Sequence, residues 1–118
     1  MAVKKVSIAA DCRVLVELPQ QGMRVLVVVD SAEVRVVNDK CRHRGGPIHL
    51  CYRDSGNVRR CPWHDRKIGR DYPSGEVCAT YQRSRGLLQL VSHQPQGAPW
   101  PVRVIAPEAQ AAPAYASL

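Results

Sequence analysis

Residues 40–75 read KCRHRGGPIHLCYRDSGNVRRCPWHDRKIGRDYPSG, and the arrangement of the whole chain turns on this stretch. It is rich in Gly, Pro and charge. Gly45-Gly46-Pro47 and Cys61-Pro62 can continue neither a helix nor a central strand, because proline fixes φ and has no N–H to donate. Between these breaks, Leu50 to Arg53 and Val58 to Arg60 have the length to pair across Asp54-Ser55-Gly56-Asn57. The expected result is a hairpin with one loop at its Cys41 end and another at its Cys61 end.

Each loop carries residues that bind metals. The first holds Cys41-Arg42-His43 and the second Cys61-Pro62-Trp63-His64, with positions 44–60 between His43 and Cys61. Two Cys and two His form a zinc site in many small domains. Zinc fingers usually pair Cys with Cys and His with His, at wider His spacings. Here each loop offers one of each. That suits a binuclear centre in which one iron takes both thiolates and the other takes both imidazoles. Spacing alone leaves zinc and iron both open.

Cys41-Arg42-His43-Arg44-Gly45-Gly46-Pro47 and Cys61-Pro62-Trp63-His64 resemble the two cluster loops of Rieske ferredoxins and Rieske domains. The likeness runs from about Val34 to Gly75 and extends loosely to the flanking strands. It implies a [2Fe–2S] cluster, with Cys41 and Cys61 on the inner iron and His43 and His64 on the outer iron near solvent. It also implies an all-β fold: an antiparallel sandwich or barrel with a small cluster-binding subdomain of two loops. Neutral imidazoles in place of two thiolates raise the potential relative to all-Cys clusters.

Departures from the family pattern sharpen the expectation. High-potential Rieske proteins carry one further Cys in each loop, bridged to each other; the corresponding residues here are Gly46 and Trp63. The Ser and Tyr that hydrogen-bond the high-potential cluster appear as Arg66 and Ile68. The resemblance therefore points to the low-potential ferredoxin type, near the bottom of the roughly −150 to +300 mV Rieske range. Asp65 replaces the Gly usual after the second His, placing a carboxylate by the outer iron with Arg66 or Arg44 as a partner. Arg42 stands where Pro is common. Neither change removes a ligand.

Strands are expected on both sides of the loops. Upstream, Arg13 to Leu18 and Met23 to Val29 flank a turn at Pro19-Gln20-Gln21-Gly22, and Glu33-Val34-Arg35-Val36 alternates as a half-buried strand does. These form an antiparallel meander. Downstream, Val77 to Tyr81, Leu87 to Val91 and Val102 to Ile105 read as strands, with a Pro- and Gly-rich loop from Gln94 to Pro101. No segment keeps a helical period. With 118 residues the chain fits one domain. Residues 1–106 are assigned to it, about 40–75 to the cluster-binding subdomain, and 107–118 to a flexible C-terminal tail.

The formal net charge is +7. The window from Lys40 to Arg70 contains Lys40, Arg42, Arg44, Arg53, Arg59, Arg60, Arg66, Lys67 and Arg70 against Asp54 and Asp65. Basic and acidic residues outside it cancel, so the whole excess lies in the loop-bearing segment. These cations are expected to favour the reduced form and to steer an acidic partner. They coincide with the metal loops, and aromatics at stacking spacing are lacking, so nucleic acid is not the expected partner. No apolar run reaches membrane-spanning length and no secretory leader is visible, so a cytoplasmic location is expected and no membrane association.

Cys12, Cys51 and Cys78 read as small buried hydrophobes in strands. His49 and His93 have no Cys or carboxylate at ligand spacing and read as satisfied or surface histidines. Trp63 is expected to pack as a lid or to face a partner. Trp100 is expected either to shield the cluster as a third loop or to cap the core. A catalytic Rieske oxygenase would need a mononuclear iron held by two His and a carboxylate. Once His43 and His64 are assigned, only His49 and His93 remain, and no second domain is expected to supply such a pocket. The expected role is an electron carrier between a reductase and an oxygenase; the alternative is a non-catalytic Rieske subunit of a larger redox enzyme.

Overall fold

A computed structural model describes residues 1–31, 33–40, 46–63, 65, 67–69, 71–95, 97–107 and 109–110. The chain is built from strands: β1 (Ala2–Ser7), β2 (Arg13–Leu18), β3 (Met23–Val29), β4 (Val34–Asn38), β5 (Tyr52–Arg53), β6 (Arg59–Arg60), β7 (Val77–Gln82), β8 (Leu87–Ser92), β9 (Val102–Ile105) and β10 (Ala109–Gln110). Short 3-10 turns at Pro19–Gln21 and Ile48–Leu50 are the only helical segments among the described residues. The order is β4-β3-β2-β9 in the largest sheet, β1-β8-β7 in a second and β10-β5-β6 in a third. Pairing is antiparallel throughout except for β10 with β5, two residues long and parallel.

β2 and β3 pair from Arg13↔Val28 to Leu18↔Met23. Pro19 opens the turn between them. Gly22 closes it at φ 61, a left-handed conformation that glycine adopts without a Cβ clash. The alternation of side chains then divides the four-stranded sheet into two working faces. One face presents Val14, Val16, Leu18, Val25, Val27 and Val29, which pack with Val77, Leu88 and Leu90 of the second sheet. The other presents Leu26 and Val37, which pack with Ile48, Cys51, Cys61 and Ile68 of the loop-bearing region. β3 is thus covered on both sides, and its unbroken run Val25-Leu26-Val27-Val28-Val29 is the pattern such burial demands.

Several sequence expectations acquire a definite place here. β2, β3 and β9 have the expected bounds. The hairpin forms with Tyr52↔Arg60 and Arg53↔Arg59 opposite each other, while Leu50 belongs to the preceding 3-10 turn. β1 was not foreseen as a strand. Trp100 is buried in the main core, with the Lys4 ammonium 5.0 Å from its ring centre. It caps that core on the side of the sheet away from the loops. Cys51 is buried and Cys12 half-buried, but neither lies in a strand as expected: Cys12 precedes β2 and Cys51 ends the Ile48–Leu50 turn; Cys78 is in β7 but exposed, which corrects the reading of it as a core residue. Val77 faces inward at the start of β7, so the two-residue period turns Cys78 to solvent. At the C-terminal end, β10 adds an edge to the hairpin; residues 111–118 lie outside the described residues.

The two faces make separable contributions. Leu26→Ala and Leu90→Ala should each lower unfolding stability by about 2–5 kcal/mol. Amide hydrogen exchange should tell them apart. Leu26→Ala is expected to speed exchange in the β5–β6 hairpin beyond its global effect, whereas Leu90→Ala should act on the whole domain evenly.

Candidate metal centre

The first loop leaves the end of β4. Asp39 extends that strand: its N–H donates to the Arg24 carbonyl of β3 at 3.0 Å. On the other side the Asn38 N–H donates to the Tyr72 carbonyl at 2.7 Å. The loop therefore starts from a strand end held on both flanks. The chain is next described at Gly46, and Pro47 then leads into the Ile48–Leu50 turn, closed by Cys51 N–H donating to the Ile48 carbonyl at 3.0 Å.

The Asp39 carboxylate is fully buried and has three donors around it. Oδ1 accepts the His49 backbone N–H at 2.7 Å, and Oδ2 lies 2.7 Å from His49 Nδ1 and 3.0 Å from Arg24 Nε. A buried carboxylate is tolerated only with such pairing. On the far side of His49, the buried Arg13 guanidinium donates to the His49 carbonyl at 3.1 Å and to the Ala106 carbonyl at 2.8 Å. His49 is thus a satisfied histidine, as its sequence context suggested. Its partner Asp39 was not foreseen, because the contact is made by the fold and not by any ligand-type spacing.

The second loop leaves the β5–β6 hairpin. Asp54 shapes the hairpin turn: Oδ1 accepts the N–H groups of Gly56 and Val58, both at 2.9 Å, and Oδ2 accepts Arg60 Nε at 2.7 Å. The Arg60 guanidinium, followed by these backbone donors, holds the Asp54 carboxyl below its ordinary value. Arg60 also donates through Nη1 to the Asp65 carbonyl at 2.8 Å, and the Tyr52 hydroxyl donates to Asp65 Oδ1. The Asp65 carboxylate beside it is the leading reason the Tyr52 hydroxyl titrates above its usual range. Asp65 has φ 52, a conformation that favours glycine. Aspartate tolerates it better than most residues, and here its side chain is anchored. The partner found for Asp65 is Tyr52, where the sequence reading named Arg66 or Arg44; both of those lie outside the described residues.

Arg59 pairs with Asp71 at 2.8 Å. Arg59 and Arg60 therefore brace the hairpin from within the basic window, while Lys40 and Lys67 are exposed.

Of the expected ligands, Cys41, His43 and His64 lie outside the described residues, as do Arg42 and Arg70. Cys61 is described and fully buried, in an apolar group with Leu26, Val37, Ile48, Cys51 and Ile68. Its thiol faces the first loop. A Cβ built on Gly46 would come within 2.6 Å of Cys61 Sγ and within 3.3 Å of Trp63 Cγ and Cδ2. Only glycine leaves room there, and the Trp63 indole, 48% exposed, lies against it. A buried thiol turned across an apolar floor toward the opposite loop is what a metal held between two loops requires. A thiolate there, with imidazoles from the same loops, also has the donor chemistry of a mixed Cys/His iron–sulfur site. The residues present fit such a group.

Among the described residues, this is an all-β domain with a buried thiol, Cys61, set against Gly46 and Trp63 over one face of its sheet. The model of the Rieske [2Fe-2S] domain matches residues 3–90. The chain belongs to the Rieske [2Fe–2S] domain family: it binds a [2Fe–2S] cluster and is an electron-transfer protein that works with redox partners. Comparisons with curated proteins and with solved structures gave no match. Among the described residues no helix is long and apolar enough to cross a membrane.

Gly46→Ala should disturb this contact directly, since the new methyl meets the Cys61 sulfur well inside van der Waals distance. We expect a loss of about 1–3 kcal/mol in stability and a reduced iron content after expression. Iron analysis and denaturant unfolding measure the two effects.

Proposed function

We propose that Cys41 and Cys61 ligate one iron of the cluster and His43 and His64 the other, and that the protein is a Rieske-type ferredoxin. It carries one electron at a time from a reductase to an oxygenase. The observation that supports the ligand set is the buried Cys61 thiol facing the first loop across Gly46. Each ligand closes a loop with few apolar residues, so metal binding supplies part of the folding energy of this region. The purified protein should be red-brown, with two irons and two acid-labile sulfides per chain. Cys61→Ser and His64→Ala should each lose the cluster and lower the unfolding midpoint. Full iron content in both variants, or a colourless protein with one zinc, would sink the assignment.

Two further features support the low-potential carrier. Gly46 and Trp63 stand where high-potential relatives have bridged cysteines, and Ile68 is turned into the apolar floor, so it offers no hydroxyl to a sulfur. Exposed Trp63 and Pro62 mark the approach to the loops, with Lys40 and Lys67 as exposed cations of the basic window. An acidic partner surface docks there, and screening shortens its attraction to about 8 Å at physiological ionic strength. Redox titration should give a midpoint near the bottom of the roughly −150 to +300 mV range. Electron transfer to the partner should slow as salt rises, and at low salt Lys67→Glu should slow it more than Arg103→Glu does. A strongly positive midpoint, a rate indifferent to salt, or co-purification with a stoichiometric large enzyme would each count against this reading.

A further inference from the structure

We infer that Asp39 and His49 form a clasp that positions the first ligand loop and so sets the environment of the cluster. This rests on the assignment of Cys41 and His43 as ligands. The clasp joins the two stems of one loop: residues 40–48 lie between its halves, and both proposed first-loop ligands are within them. The Asp39 half is rigid, because its backbone continues the β3–β4 pairing. The His49 half is gripped three ways. Its N–H and its Nδ1 go to the two oxygens of the Asp39 carboxylate. Its carbonyl accepts from Arg13 of β2.

The ring contact sets Nδ1 of His49 2.7 Å from Oδ2 of Asp39. Arg24 completes the charge balance at 3.0 Å. Such an arrangement has little use for stability alone: an ion pair buried this far gains little over apolar packing. Its particular effect is geometric. Fixing both stems to one carboxylate restricts where Cys41 and His43 sit. Asp39 and His49 are positioning residues, acting on the metal through the loop and not by touching it.

His49→Ala removes the ring contact and keeps the backbone one, so it is the milder break; Asp39→Asn is the second. His49→Asn is the conservative variant, because its side-chain amide occupies nearly the place of Nδ1. Leu90→Ala, in the main core on the opposite side of the sheet, serves as the control for lost stability. All four are prepared with the cluster loaded and compared by EPR, visible circular dichroism, redox midpoint and the rate of iron loss to a chelator.

His49→Ala and Asp39→Asn should load iron but lose it roughly ten- to a hundredfold faster, the usual cost of removing an outer-shell partner of a metal site. Their EPR and dichroism spectra and midpoints should move, and His49→Asn should restore them. Leu90→Ala should lower the melting temperature without moving the spectra or midpoint. The inference is overturned if His49→Ala and Asp39→Asn match the wild-type spectra, midpoint and chelator rate, or shift them no more than Leu90→Ala does. It is also overturned if His49→Ala loads no cluster and His49→Asn fails to rescue it, since a positioning role through this contact requires that rescue. Failure of the ligand set itself reads out separately, as iron retained in Cys61→Ser.

Discussion

The apolar contact between the outer face of β3–β4 and the loop-bearing region holds the functional end of this molecule in place. Leu26 and Val37 lie on the outer face of the four-stranded sheet, and Ile48, Cys51, Cys61 and Ile68 pack over them. Full burial of aliphatic side chains of this size contributes about 1.5–3 kcal/mol each. The two-residue strands β5 and β6 could not persist as an isolated hairpin in water. Their position follows from the floor beneath them, and with it the position of Cys61.

Above this floor Gly46, at the end of the first loop, lies against Cys61 and Trp63 of the second. Glycine removes the side chain on one loop, and the indole from the other fills the space against it. Packing of this kind is softer than a disulfide. The burden of holding the loop stems falls on polar contacts: Asp39 with His49 and Arg24 on the first loop, and Tyr52 and Arg60 with Asp65 on the second. The second set is exposed and so weaker in water than the buried first set.

The excess positive charge is less uniform than its count suggests. Arg59 and Arg60 are engaged with Asp71 and Asp54 and maintain the hairpin, while Lys40 and Lys67 project into solvent. The window from Lys40 to Arg70 therefore serves two purposes. Some of its cations order the subdomain, and others contribute field at the surface, where ionic strength governs their reach.

Much of this was legible in residue order. Strands β2, β3 and β9 and the hairpin across Asp54-Ser55-Gly56-Asn57 each rest on local signals: side-chain period and turn chemistry. The Rieske family was readable for the same reason, since metal ligands must lie close together on short loops. Other features depended on which surfaces meet. Ala2–Ser7 becomes a strand only because β8 offers it a partner, and Cys78 faces water because Val77 faces the core. Trp100 could have shielded a loop or capped the core, and the packing of the two larger sheets decided for the core. Asp39 and His49, ten positions apart, have no periodic relation that marks them as partners. Their contact exists because β3 aligns the end of β4 while Arg13 and the apolar floor return His49 to it, and only the folded chain brings those constraints together.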